Sequence, residues 1–168
     1  MTLQRLNALP DHEAEAAFLT CCGSTRWARE MARRRPFDGQ HQVHTAGADV
    51  WFELDPEDWD EAFRAHPRIG ERKAAPAQSA QAAAWSAQEQ AGASSAGEEI
   101  AAALAEGNRA YEERFGRIYI VCASGKTAKQ LLSILRKRLG NDPDTELRVA
   151  AAEQWKITEL RLEKLFFS

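Results

Sequence analysis

No apolar run in these 168 residues approaches the roughly 20 that a bilayer-crossing helix needs, so no membrane partner is expected. Charged and polar residues occupy the N-terminal stretch where a secretory leader would be apolar, and Leu165-Phe166-Phe167-Ser168 is not a peroxisomal address. A cytoplasmic location is the expectation by elimination. Cysteine is scarce: Cys21, Cys22 and Cys122, two of them adjacent, make no disulfide framework. They read as small buried hydrophobes in a reducing compartment. Charge of one sign is lacking too, with 22 basic against 25 acidic residues, largely interleaved, and a net charge of −3. A nucleic-acid grip needs a basic stripe, so no nucleic-acid partner is expected. The one dense cluster, Arg33-Arg34-Arg35 before Pro36, reads as a helix C-terminus where cations meet exposed carbonyls. Metal patterns are missing as well. The four histidines (His12, His41, His44, His66) form no His-Glu-x-x-His, there is no paired Cys-x-x-Cys, and no metal is expected. Gly125-Lys126-Thr127 ends like a phosphate loop, but Ile120 stands where its upstream glycine would be.

What is present is ordinary for a soluble globular chain: 44% hydrophobic and 28% charged residues, in a length that suits one domain spanning 1–168. Helix signals dominate, and the fold class is all-α. Asp11 caps a helix through roughly Cys22, Gly23 stops it, and Ser24 caps the next through about Arg35. A weaker helix covers roughly 45–54, and Asp55-Pro56-Glu57-Asp58 opens another whose core face carries Trp59 and Phe63. Residues 74–110, rich in alanine, read as two helices broken near Gly92 to Ala96. Further helices run from about Thr127 to Leu139 and from Asp144 to Phe166. One segment breaks the pattern: residues 118–123, Ile-Tyr-Ile-Val-Cys-Ala, have the β-branched apolar character of a buried strand without a partner strand. Its backbone groups need partners, which either a polar ligand or neighbouring side chains supply.

Three places can carry chemistry. In His66-Pro67-Arg68-Ile69-Gly70, Pro67 forces His66 out of helical geometry at a helix end. That placement suits a general acid or base, with Arg68 close in sequence, and equally suits a histidine that only ends a helix. Ser86, Glu89 and Gln90 share one helix face, where a carboxylate beside a carboxamide reads the edges of a urea-like ligand. Ser86-x-x-Glu89 is also a capping box. On the last helix Arg161 falls inside the apolar arc of Leu147, Ala150, Ala151, Ile157, Leu162 and Leu165, with Gln154 on the same arc. A guanidinium there holds an anionic or carbonyl group of a ligand, makes an internal salt bridge, or snorkels to solvent.

Taken in order, these features resemble the family of 2-oxo-4-hydroxy-4-carboxy-5-ureidoimidazoline (OHCU) decarboxylases. The resemblance runs through Leu6-Asn7, Cys22-Gly23-Ser24-Thr25-Arg26-Trp27-Ala28, Arg35-Pro36-Phe37, His66-Pro67-Arg68-Ile69-Gly70 and Ser86-Ala87-Gln88-Glu89-Gln90. It continues through Tyr111, Phe115-Gly116, Ile120-Val121-Cys122-Ala123, Gly125-Lys126, Arg138-Leu139-Gly140-Asn141, Glu146, Lys156-Ile157-Thr158 and Leu160-Arg161-Leu162. It implies an all-helical homodimeric enzyme of urate degradation that uses no cofactor and converts a small-molecule ureidoimidazoline to (S)-allantoin and carbon dioxide. It further implies that His66 is the proton donor, and that Pro67, Ser86, Glu89, Gln90 and Arg161 hold the substrate. Backbone groups of Val121, Cys122, Ala123, Ser124 and Gly125 complete that pocket. Two other classes stay open from the residues alone: another lyase or hydrolase acting on a related ring compound, and a helical interaction module without catalysis.

Overall fold

The computed structural model describes residues 1–71, 75, 78–94 and 96–167. Among them are nine helices and no strand: α1 Leu3–Ala8, α2 Asp11–Cys21, α3 Thr25–Arg33, α4 Gln40–Glu53, α5 Pro56–Arg64, α6 Ala80–Glu89, α7 Glu98–Phe115, α8 Ala128–Arg138 and α9 Pro143–Phe167. The all-α expectation holds. The contacts divide into two units, Met1–Ala62 with Trp155–Ser168, and Phe63–Gln154.

In the first unit, Ser24 caps α3 as expected, its Oγ accepting from the Trp27 N–H at 3.3 Å. At α2 the expectation is corrected. Pro10 holds the cap position, and Asp11 sits in the first turn, where its charge meets the helix dipole. Helix α1 escaped the sequence reading, and α4 begins at Gln40 rather than near 45. Phe18, Trp27, Met31 and Trp51 are fully buried, and Phe18 meets the Trp27 ring edge-on at 5.8 Å. The Trp27 indole N–H donates to the Gly47 carbonyl at 3.0 Å. A Cβ at Gly47 would stand 2.9 Å from the Trp155 ring, so only glycine admits this approach. The basic cluster ends α3 as read from the sequence. Arg35 donates to the carbonyls of Ala32, Leu6 and Leu9 and to the Asp11 carboxylate. All three cysteines of the chain are free and buried. Burial pushes the Cys21 and Cys22 thiols up to about 12, with the nearby Arg161 cation opposing the rise.

The second unit is built around Leu104, Tyr111, Tyr119, Val121, Leu131 and Leu135. Ser79 caps α6, so the capping-box reading of Ser86 fails: Ser86 lies in the last turn of that helix. The expected break falls between Glu89 and Glu98, and Ala74, Pro76, Ala77 and Ser95 of the alanine-rich stretch lie outside the described residues. Gly116 ends α7 in the left-handed conformation, φ +70°. A capping box of Thr127 and Gln130 starts α8.

Residues 118–123 lie outside every helix, form no strand despite their strand-like composition, and are mostly buried. They are anchored by an ion pair sunk in the core. Arg138 Nε donates to Glu146 Oε1 at 2.7 Å, and its Nη1 donates to the Ile120 carbonyl at 2.6 Å. Tyr111 Oη and Asn141 Nδ2 complete the carboxylate's shell at 2.6 and 2.9 Å. The Arg138 cation lies 4.9 Å from the centre of the Tyr119 ring. Burial, and next the bond to Glu146, push the Tyr111 hydroxyl well above its ordinary range.

Candidate active site

Helix α5 ends at Arg64, and His66 projects from the turn that Pro67 enforces, half-buried, with its N–H bonded to the Phe63 carbonyl. Its Nε2 lies 2.7 Å from Gln154 Oε1 on α9. That bond fixes the ring's orientation. The preceding residue, Glu153, accepts the Cys122 N–H at 2.8 Å, and Lys126 Nζ donates to the Cys122 carbonyl at 2.8 Å. Side chains therefore satisfy the N–H and C=O of Cys122, one of the two alternatives the sequence leaves open. Two neighbouring residues of α9 thus hold the histidine and the segment 118–123. Sequence pattern marks neither as a site residue, although it puts Gln154 on the apolar arc of α9, where the side chain is fully buried.

The Cys122 thiol is raised by burial above all; the carboxylates of Glu153 and Glu89 add to the rise and Lys126 opposes it. Glu89 is therefore within electrostatic reach of the segment whose Val121, Cys122 and Ala123 are buried and whose Ser124 and Gly125 are exposed at the turn. Arg68 is engaged elsewhere than the sequence suggests: its guanidinium binds Glu112 at 2.6 Å and lies 3.8 Å from Glu71.

Beside the His-Pro turn lies a cavity of about 900 Å³. Of the residues expected to bind substrate, Pro67, Ser86 and Gln90 line it, whereas among the described lining residues His66, Glu89 and Val121 to Gly125 do not appear. Gln90 Oε1 accepts the Gly70 N–H at 3.0 Å, which ties α6 to the turn. Two residues missed by the sequence reading also line the cavity, Gln78 and Asn108. Arg161 belongs to the first unit, where it is 3% exposed. Among the described residues no group of three or more His, Cys, Asp or Glu side chains is placed to hold a metal ion.

A histidine held at a helix end thus lies one residue from a cavity lined by Pro67, Ser86 and Gln90, a juxtaposition of the kind that small-molecule acid–base sites use. The family model for OHCU decarboxylase matches residues 7–163, and the chain belongs to that family. It is 30% identical to the 2-oxo-4-hydroxy-4-carboxy-5-ureidoimidazoline decarboxylase of Haloferax volcanii over 173 residues, covering all of this chain and 98% of that protein. It is 42% identical over 153 residues, 90% of its length, to the uric acid degradation bifunctional protein TTL of Arabidopsis thaliana, of which it spans 47%. Among solved structures, an OHCU decarboxylase in the presence of (S)-allantoin superposes with a TM-score of 0.79 at 36% identity, over 95% of this chain and 100% of that one. An (S)-allantoin synthase shares the fold, with a TM-score of 0.72 at 18% identity, over 98% of this chain and 54% of that one.

Proposed function

We propose that this chain decarboxylates 2-oxo-4-hydroxy-4-carboxy-5-ureidoimidazoline to (S)-allantoin and carbon dioxide with no metal or organic cofactor, His66 giving the proton. The reaction class, a carboxy-lyase step of urate degradation, follows from membership of the family. The observation that carries the reading is the pair Glu153 and Gln154, which hold Cys122 and His66 from adjacent positions of one helix.

Loss of carbon dioxide leaves an electron pair that the ring's own carbonyl or imine absorbs. The protein has to orient the carboxylate, stabilise the enolate with fixed donors and protonate one face. An imidazolium at His66, its ring held by Gln154, supplies that proton from one side, which accounts for a single enantiomer. Pro67, Ser86 and Gln90 hold the substrate from the cavity, joined by Glu89 of α6 and by backbone groups of Val121 to Gly125 other than those of Cys122, which Glu153 and Lys126 already engage. The buried guanidinium of Arg161 is assigned to the substrate's anionic groups on its position in the family pattern. In this reading residues 1–168 act as one domain, since the family match spans residues of both units. The protein works in the cytoplasm, where three free thiols suit a reducing compartment, and it does so as a homodimer.

The test generates the unstable substrate freshly from urate with a urate oxidase and a hydroxyisourate hydrolase, then follows carbon dioxide release. Release well above the spontaneous rate, lost in His66→Ala while circular dichroism shows an intact helical fold, is expected. Wild-type rates in His66→Ala would remove the histidine from its role.

A further inference from the structure

The end of α6 and the backbone of residues 121–125 approach each other where Gly92, just past α6, meets Lys126. A Cβ built at Gly92 would fall well within 3.0 Å of the Lys126 carbonyl oxygen and 3.2 Å from the carbon that bears it. These are backbone atoms, which cannot swing aside as the end of a side chain can. The left-handed glycines described are Gly70, Gly116 and Gly125, and Gly92 is not among them. Position 92 therefore uses glycine for space and not for an unusual turn.

Both sides of this contact are held. On one, Gln90 Oε1 accepts the Gly70 N–H at 3.0 Å, and buried Ala93 donates its N–H to the Gln90 carbonyl at 2.9 Å. On the other, the Lys126 N–H donates to the Ala123 carbonyl at 3.0 Å and its Nζ to the Cys122 carbonyl at 2.8 Å. The capping box of Thr127 and Gln130 then starts α8 at the next residue. Across this contact the Cys122 thiol feels both the Glu89 carboxylate, which raises it, and the Lys126 ammonium, which opposes the rise. A methyl group at position 92 would have to part the two backbones by about 1 Å to restore ordinary contact.

We propose that Gly92 and Lys126 are positioning residues of the decarboxylase. Gly92 lets the end of α6 seat on the Lys126 peptide, and the Lys126 ammonium holds that turn in shape. Together they set the spacing between Ser86, Glu89 and Gln90 and the backbone groups of residues 121–125. Each acts through the groups it places. The inference rests on the decarboxylase reading and adds to it the joint that fixes the width of the site.

Steady-state kinetics on freshly generated substrate test it, with each variant also melted and checked by circular dichroism. Gly92→Ala is expected to lower kcat/KM about a hundredfold, the effect of misplacing site groups by about 1 Å. Gly107→Ala is the control, because its methyl group would stand 2.5 Å from Leu135 Cδ2, a side chain that can give. It should melt earlier than wild type and keep the wild-type kcat/KM. Lys126→Met leaves the core untouched and decides the matter if Gly92→Ala does not fold. It should lose about tenfold in kcat/KM, the effect of one hydrogen bond, and Lys126→Arg should recover part of that. Wild-type kcat/KM in a folded Gly92→Ala, or in Lys126→Met, overturns the proposal. So does an equal fall in Gly107→Ala and Gly92→Ala, which would assign the loss to stability alone. If wild type itself runs at the spontaneous rate, the decarboxylase reading falls, and if it is fast while the variants match it, only the positioning roles fall.

Discussion

Replacing Arg138 with methionine removes the cation of the buried pair and keeps most of the side-chain volume. Arg138 and Glu146 are 5% and 0% exposed, so neither charge can turn to water. Deleting one partner of such a pair costs about 3–5 kcal/mol, because the other charge stays buried uncompensated. The Ile120 carbonyl also loses its donor, and an orphaned buried acceptor costs about 1–3 kcal/mol. Tyr111 and Asn141 still donate to the Glu146 carboxylate, which offsets part of the total. We expect a loss of about 4 kcal/mol, a large share of the roughly 5–15 kcal/mol that holds most domains folded. Urea titration followed by tryptophan fluorescence measures it. Thermal melting should show a drop of roughly 10 °C, at about 2–4 °C per kcal/mol for a chain of this size. The double variant Arg138→Met, Glu146→Leu should recover much of the loss, since no buried charge remains. A single variant within 1 kcal/mol of wild type, or strictly additive double-variant losses, would refute the ion pair as anchor of residues 118–123.

Gly47→Ala should destabilise by about 1–3 kcal/mol in melting experiments although alanine favours helices, because the new methyl group meets the Trp155 ring. Ser24→Ala should cost about 1 kcal/mol through the lost cap of α3, read in the same way. Cys21 and Cys22, with folded-state pKa values raised from 9.0 to about 12, stay protonated in the native state while the unfolded chain ionises above pH 9. Their raised values therefore favour the folded state below pH 9 and lose that contribution as pH rises toward 12. Between pH 9 and 10 each thiol should subtract about 1 kcal/mol from stability, and a Cys21→Ala, Cys22→Ala variant should show a correspondingly flatter decline. Gln154→Ala should lower kcat, whereas Gln154→Glu should move the loss of activity at high pH upward, because an adjacent carboxylate favours the imidazolium. Unchanged pH profiles in both would deny Gln154 its positioning role.

Local signals made much of this fold legible. Ser24 and Asp55-Pro56 mark helix starts, and the Arg161 arc follows from a 3.6-residue period that burial of the side chain bears out. The start of α4 was lost because Gly39 caps it without a side-chain bond. Six-residue α1 is too short to show periodicity. His66 and the Ser86–Gln90 face stood out by residue type, but what holds them did not. Gln154 meets His66 across 88 residues of sequence and Glu153 meets Cys122 across 31, distances that no local pattern encodes. Asn108 did leave a trace: it interrupts the stripe Leu104, Tyr111, Phe115 at helical spacing, a polar residue on a buried face. Gln78 left none, since its meaning depends on the fold around Ser86.

The measurement closest to the central claim is circular dichroism of allantoin formed from freshly generated substrate, with wild type and His66→Ala side by side. Rapid appearance of the (S)-enantiomer with wild type, and slow racemic product with the variant, is the predicted result. Racemic allantoin at the spontaneous rate with wild type would contradict the account.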